Sequence, residues 1–210
     1  MPQPITFSWQ GRIAYDAGLK LQEDLAARRL AATGEDCVLL LEHEPVYTIG
    51  RTRDRTSLRD PAALPHPVVE ISRGGQATFH GPGQLVGYPI LDLRRRVQDL
   101  HRYLRALEES IIRYAESLEI NAARRDGLTG VWVQERKLAS IGVGVRQWVT
   151  QHGFALNVCG DLSGFDAITP CGIQNVVMTS LEREGASGLT VEQAAAGIIP
   201  HLETALQELV

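Results

Sequence analysis

Apolar residues recur near helical spacing between Ile13 and Ala31 (Tyr15, Leu19, Leu25, Leu30), which predicts a helix. Val38 to Glu42 is short, aliphatic and flanked by turn formers, so it reads as a buried strand; Val46 to Ile49, entered after Pro45, reads as another. The polar stretch from Arg51 to Pro67, broken by Pro61, Pro65 and Pro67, reads as a loop. Val68 to Ile71 predicts a strand running into a Gly-rich stretch, and Leu85 to Leu91 predicts the next. Asp99, a favoured N-cap residue, precedes a helical stripe of Leu100, Leu104, Leu107, Ile111, Tyr114 and Leu118. Three β-like runs follow, at Val131 to Gln134, Leu138 to Gln147 and Phe154 to Val158. Thr190 and Gln193 fit a capping box ahead of a helix reaching Leu209, which Pro200 is expected to kink or split.

Helices and strands interleave, yet several neighbouring strands lie too close together for helical crossovers. The expected class is therefore α+β, a mixed, largely antiparallel sheet with packed helices, and not a doubly wound nucleotide fold. Residues 1–210 show no internal repeat, low-complexity tract or Gly/Ser linker, so a single domain is expected. A chain of this length buries roughly 70% of its unfolded surface and needs no disulfide or metal to fold.

The longest purely aliphatic run is Val38 to Leu41, far short of the about 20 apolar residues of a membrane-spanning helix. Met1 to Trp9 lack the features of a secretory signal, and Cys37, Cys159 and Cys171 have no framework spacing; reduced thiols in a cytoplasm are expected. A net charge of −4 argues against a generic nucleic-acid binder. The arginines of Arg51 to Arg59 and Arg94 to Arg105 remain candidate docking patches for an acidic partner. Arginine outnumbers lysine nineteen to two, leaving only Lys20 and Lys137. Arginine does not surrender its proton in a protein and lysine can, so Lys137, set between apolar segments, draws attention.

Three segments carry candidate chemistry. The first, Arg73 to Gly83, has five Gly or Pro residues around Arg73, Thr78 and His80, and suggests a binding loop; it is neither a Walker loop nor a dinucleotide-binding Gly pattern. In the second, strand alternation puts Ser140, Gly142 and Gly144 on one face, a shallow trough, with Lys137, Ile141, Val143 and Val145 on the other; strand twist or a bulge would relax that assignment. The third is Cys171, held between Pro170 and Gly172 in a rigid turn, whereas Cys37 and Cys159 border apolar strands as small core residues. A nucleophilic cysteine needs thiolate character, which the Lys137 ammonium would favour; His80 and His152 are competing bases. No paired Cys/His spacing of zinc type is present, and no metal is expected.

Taken in order, Arg73-Gly-Gly-Gln-Ala-Thr-Phe-His-Gly-Pro-Gly-Gln-Leu-Val-Gly-Tyr-Pro-Ile90, Lys137-Leu-Ala-Ser-Ile-Gly142, His152-Gly-Phe-Ala-Leu-Asn157 and Pro170-Cys-Gly-Ile173 resemble the octanoyltransferases of lipoate biosynthesis. The resemblance implies a fold similar to the catalytic domain of biotin and lipoate protein ligases. It also implies transfer of an octanoyl group from octanoyl-acyl carrier protein to a lysine of lipoyl domains, in 2-oxoacid dehydrogenase complexes and the glycine cleavage system. The reaction would pass through a thioester on Cys171, with Lys137 lowering that thiol's pKa. Substrate contacts map to Arg73, Gly74, Gly75, Gln76, Ala77, Thr78, Phe79 and His80, to Ser140, Ile141 and Gly142, and to Gly153, Phe154 and Ala155. Backbone amides near Cys171 are expected to stabilise the tetrahedral oxyanion. Thioester-to-amine transfer runs downhill, so no cofactor and no ATP are expected. Glu135 is a local departure, standing where many relatives have a glycine turn. The alternatives are an ATP-dependent lipoate or biotin ligase on the same fold, which would need no cysteine, and a carrier-protein binding module without catalysis.

Overall fold

The computed structural model describes residues 4–51 and 55–209; residues 52–54 of the expected 51–67 loop lie outside it. In chain order the elements are β1 (Thr6–Ile13), α1 (Tyr15–Leu30), β2 (Cys37–His43), β3 (Val46–Ile49), β4 (Val68–Glu70), β5 (Thr78–His80) and β6 (Gln84–Ile90). Then follow α2 (Leu100–Ser117), β7 (Ala123–Arg125), β8 (Leu128–Val133), β9 (Arg136–Arg146), β10 (Val149–Asn157), β11 (Val177–Met178) and α3 (Val191–Gln207). The larger sheet runs β1-β2-β6-β10-β9-β8-β7, with β11 beside β9; the smaller runs β4-β3-β5. β1–β2, β9–β11 and β3–β4 are parallel and the other pairs antiparallel, the mixed α+β architecture expected from the pattern.

Period-two alternation sorts the layers. On β2, Val38 and Leu40 join the main core with Leu107, Ile111, Ile198 and Leu202 of α2 and α3, while Leu39 and Leu41 face Leu25 of α1. α1 therefore covers one face of the large sheet and α2 with α3 the other. A separate core of Tyr47, Ile49, Leu58, Ala77, Phe79 and Phe165 underlies the small sheet. Asp99 caps α2, accepting from the amides of His101 and Arg102, a contact worth about 1 kcal/mol. The expected stripe of α2 holds at Leu107, Ile111 and Tyr114, which are buried, and at Leu118, which packs against the same core; Tyr103 and Ser110 are buried beside it, whereas Leu100 is exposed. The Thr190–Gln193 capping box forms, and α3 continues through Pro200 as one helix instead of splitting. β1, β5, β7 and the two-residue β11 had no counterpart among the expected strands.

The arginine runs are largely engaged within the molecule. Arg94 and Arg95 pair with Asp92, Arg96 with Asp36, Arg105 with Glu108, and Arg55 with Glu70; Arg59 donates to the Asp166 carbonyl. Those charges fix loops and helix ends, which weakens the docking reading. No helix among the described residues is long and apolar enough to cross a membrane.

Candidate active site

Cys171 sits in a one-turn 3-10 segment at φ +53, a left-handed conformation uncommon for a side-chain-bearing residue. Its amide donates to the Ala77 carbonyl at 2.9 Å, which ties the turn to the start of β5. Lys137 Nζ donates to Cys171 Sγ at 3.1 Å, and Ser140 Oγ lies 3.8 Å from the same sulfur.

Strict alternation had set Lys137 and Ser140 on opposite faces of β9. The register resolves this: Trp132 pairs with Lys137 but Val131 pairs with Ala139, so Leu138 is an extra residue on β9, a β-bulge. Leu138 and Ala139, though consecutive, both join the main core, and Lys137 and Ser140 share the other face. Gly130 accommodates the bulge: it adopts φ +128, and a Cβ there would meet the Ala139 carbonyl at 2.6 Å and Lys137 Cε at 3.0 Å. The buried Glu108 carboxylate of α2 holds that glycine by accepting its amide at 3.0 Å. At the hairpin before β9, Glu135 pairs with Arg125 and Gln134 takes φ +53, so the turn closes without a glycine.

Lys137 is 1% exposed, and its Nζ also lies 5.3 Å from the centroid of the Trp132 ring. Burial pushes the Cys171 thiol up, but the Lys137 charge, the hydrogen bonds from Lys137 and Ser140, and the Arg73 charge together hold it below its ordinary value. Burial without such a partner pushes Cys37 up to about 11 and also raises Cys159. Among the three cysteines, only Cys171 is biased toward thiolate.

The sulfur borders a narrow pocket, with an empty volume of about 390 Å³ including its open mouth, where the small sheet meets the α1 face of the large one. Its lining includes Arg73, Thr78, His80, Ser140, Ile141, Gly142, Gly153, Phe154 and Ala155, together with Tyr15, Ile71, Val86, Tyr88 and His152. Gly74, Gly75, Gln76, Ala77 and Phe79 of the expected contacts do not line it. Phe79 packs in the second core against Tyr47 and Phe165, since β5 alternation sends it opposite to Thr78 and His80. Gln76 lies against Gly172, where a Cβ would sit 2.0 Å from its Oε1.

Arg73 is a clamp: its guanidinium donates to the carbonyls of Thr48, Gly74 and Gln76 and to Thr48 Oγ1. The Thr48 hydroxyl lies 3.3 Å from His80 Nε2, and His80 Nδ1 lies 2.8 Å from Gln84 Oε1. Gln84 Nε2 donates to the Phe79 carbonyl and to Asn157 Oδ1, which orients the amide and makes His80 Nδ1 the donor. Burial and the nearby His43 lower His80 to about 3, and burial lowers His43 and, with Arg73 and Arg51, His152 to about 4. His80 is thus neutral, with both nitrogens engaged, and poorly suited to act as a base.

The amides expected to cradle an oxyanion are also engaged: Cys171 N donates to Ala77 O, Gly172 N to Thr169 O and Ile173 N to Pro170 O. Sequence reasoning missed Tyr15, His43 and Tyr88, where Tyr88 Oη lies 2.8 Å from His43 Nε2 and Tyr15 stacks on His80. These residues come from α1, β2 and β6, and no local signal connects them.

Residues 14–203 match the lipoyl protein ligase A/B catalytic domain. The octanoyltransferase of Geobacter sulfurreducens is 55% identical over 184 residues, covering 88% of this chain and 77% of the relative. Among solved structures, lipoate-protein ligase A bound with ATP superposes with a TM-score of 0.71 at 15% identity, over 98% of this chain and 86% of the other. Biotin protein ligase from Aquifex aeolicus, in complex with biotin and ATP, gives a TM-score of 0.61 at 13% identity, over 97% and 71% of the two chains.

Proposed function

Because the chain belongs to the octanoyltransferases of the lipoyl protein ligase A/B catalytic-domain family, acyltransferases of protein lipoylation, we propose that it moves its octanoyl group through a thioester on Cys171. The donor is octanoyl-acyl carrier protein. The acceptor is a lysine of lipoyl domains such as those of 2-oxoacid dehydrogenase complexes and the glycine cleavage system, in a cytoplasmic setting.

The observation that carries this reading is the 3.1 Å contact between Lys137 Nζ and Cys171 Sγ at the edge of the pocket. In the first half-reaction the Cys171 thiolate adds to the carrier thioester carbonyl, and the carrier thiolate leaves, taking a proton from the Lys137 ammonium. In the second, the neutral amine of the target lysine adds to the enzyme thioester. Its proton returns to Lys137 as the amide forms and the Cys171 thiolate is released. Lys137 suits both steps because a lysine, unlike an arginine, can give up and regain its proton. The octanoyl chain lies along Ile141, Gly142, Gly153, Phe154 and Ala155, and Ser140 steadies the sulfur.

Intact-protein mass spectrometry after incubation with octanoyl-acyl carrier protein, without ATP, tests this reading. The expected result is a hydroxylamine-labile octanoyl adduct mapped to Cys171 and discharged by a lipoyl domain, absent in Cys171→Ser. Octanoylation of the lipoyl domain by Cys171→Ser at the wild-type rate, or only when ATP and free octanoate are supplied, would refute it.

A further inference from the structure

We infer that the Thr78 hydroxyl is the donor that stabilises the oxyanion of the acyl group on Cys171, an inference that rests on the thioester reading and supplies its missing part. Both tetrahedral intermediates place a full negative charge on the former carbonyl oxygen, and a preorganised donor there is usually a large contribution to rate. The amides of Cys171, Gly172 and Ile173 already donate within the turn that gives Cys171 its conformation. Using them would require that turn to open.

The side chains around the pocket are also mostly committed. Ser140 Oγ faces Cys171 Sγ, Thr48 Oγ1 bridges Arg73 and His80, and the Arg73 guanidinium holds three carbonyls. Among the described residues that line the pocket, two buried polar atoms have no partner: Thr78 Oγ1 and His152 Nδ1. A buried hydroxyl without a partner is uncommon and calls for an explanation.

Position separates the two. Thr78 directly follows Ala77, whose carbonyl accepts the Cys171 amide at 2.9 Å, and β5 alternation turns its side chain away from the second core toward the pocket. It is 4% exposed, and its backbone is fixed on a paired strand opposite Thr48 before substrate arrives. His152 stands on β10, with its amide tied to Gln22 of α1. When the thiolate adds to the thioester carbon, the carbonyl electron pair moves onto oxygen, and the Thr78 O–H donates to it. The proton stays on Thr78, and the pair returns as the carrier thiol or, in the second step, Cys171 departs.

The test compares Thr78→Val, Thr78→Ala and Thr78→Ser in single-turnover formation of the Cys171 octanoyl thioester and in steady state with lipoyl domain. Thr78→Val should slow thioester formation and kcat by about 10²–10³-fold with KM for the octanoyl carrier unchanged. Its melting temperature should not fall, because the hydroxyl removed has no partner in the resting protein. Thr78→Ser should stay within a few-fold of wild type. Val and Ala variants that react at the wild-type rate would overturn the inference, as would a Ser variant as slow as Val, which would indicate packing. Wild-type enzyme that octanoylates the lipoyl domain without any Cys171 adduct would overturn the thioester reading itself, and this inference with it.

Discussion

Lys137 and Ser140, three positions apart on one strand, reach the same Cys171 sulfur because Leu138 bulges out of the β8–β9 ladder. A bulge adds one residue and inverts the facing of everything beyond it. Here it turns the lysine out of the core face and points its ammonium at the thiol. The charge is buried, paired and 3.1 Å from its partner, so its effect on Cys171 is little screened by solvent.

Replacing Lys137 separates its two tasks. Lys137→Met removes the attraction that overcomes burial, so the Cys171 pKa should rise, and the inflection in the pH dependence of iodoacetamide alkylation should move to higher pH. Lys137→Arg keeps a positive charge, so the inflection should stay on the low side, but the guanidinium cannot pass on a proton. Acyl-enzyme formation should then slow, since the leaving carrier thiolate no longer receives a proton, and discharge to lipoyl lysine should slow by about 10²–10⁴-fold. Wild-type discharge by the arginine variant would remove the proton-transfer role from Lys137.

Gly130 connects the bulge to function. In Gly130→Ala the new methyl would stand 2.6 Å from the Ala139 carbonyl and 3.0 Å from Lys137 Cε, in a backbone conformation at φ +128 that disfavours any side chain. A loss of about 1–3 kcal/mol is expected, together with an upward shift of the Cys171 inflection as the lysine is displaced. Gly127→Ala is the control: it has positive φ but nothing within 4 Å, so it should cost stability without moving the inflection. Equal inflections in the two variants, read by thermal melting and thiol titration together, would argue against a role for Gly130 in placing Lys137.

How far the sequence alone reached follows from the range of each signal. The aliphatic β2, the Asp99-capped α2 and the Thr190 capping box are set by neighbouring residues and were readable. Cys171 and Lys137 were readable because a Pro-Cys-Gly turn and a rare lysine stand out locally. β1 and β7 escaped because both are half-exposed or exposed edge strands whose polar residues give little periodicity. β5 escaped because three residues between glycines and prolines look like a loop until Thr48 pairs with Thr78. Pairing also decides the bulge: only the partners of Trp132 and Val131 reveal the extra residue on β9.

Three buried histidines, two lining the pocket and His43 beside them, make a prediction about acid. His80, His43 and His152 are lowered to about 3, 4 and 4, against 6.5 in an open chain, so the folded protein holds them neutral. Above pH 6.5 both folded and unfolded forms are neutral at these sites and nothing is lost. Below it the unfolded chain binds protons that the folded form refuses, and stability falls until the folded pKa is reached, near pH 4 to 3. Each histidine contributes a slope of at most about 1.4 kcal/mol per pH unit over that window. His152→Gln should flatten the decline between pH 6.5 and 4 in urea titrations; an unchanged slope would mean that His152 is already protonated in the folded state.

Arg73 offers the sharpest contrast between charge and geometry. Its guanidinium donates to three carbonyls and a hydroxyl, and its Cδ would lie 2.9 Å from a Cβ on Gly142, so it both folds the loop before β5 and packs the trough of β9. A lysine there retains a positive charge but not the planar fork that holds several acceptors at once. Arg73→Lys should therefore leave the Cys171 alkylation inflection nearly unmoved while kcat falls by about 10²-fold, because slack in the 73–78 loop displaces the Ala77 carbonyl that anchors Cys171. Arg73→Met removes the charge as well, so the inflection should also rise, since the Arg73 charge helps hold the thiol down. If Lys and Met shifted the inflection equally, the loop geometry and not the charge would set the thiol's ionisation, and Lys137 would be left as its main electrostatic partner.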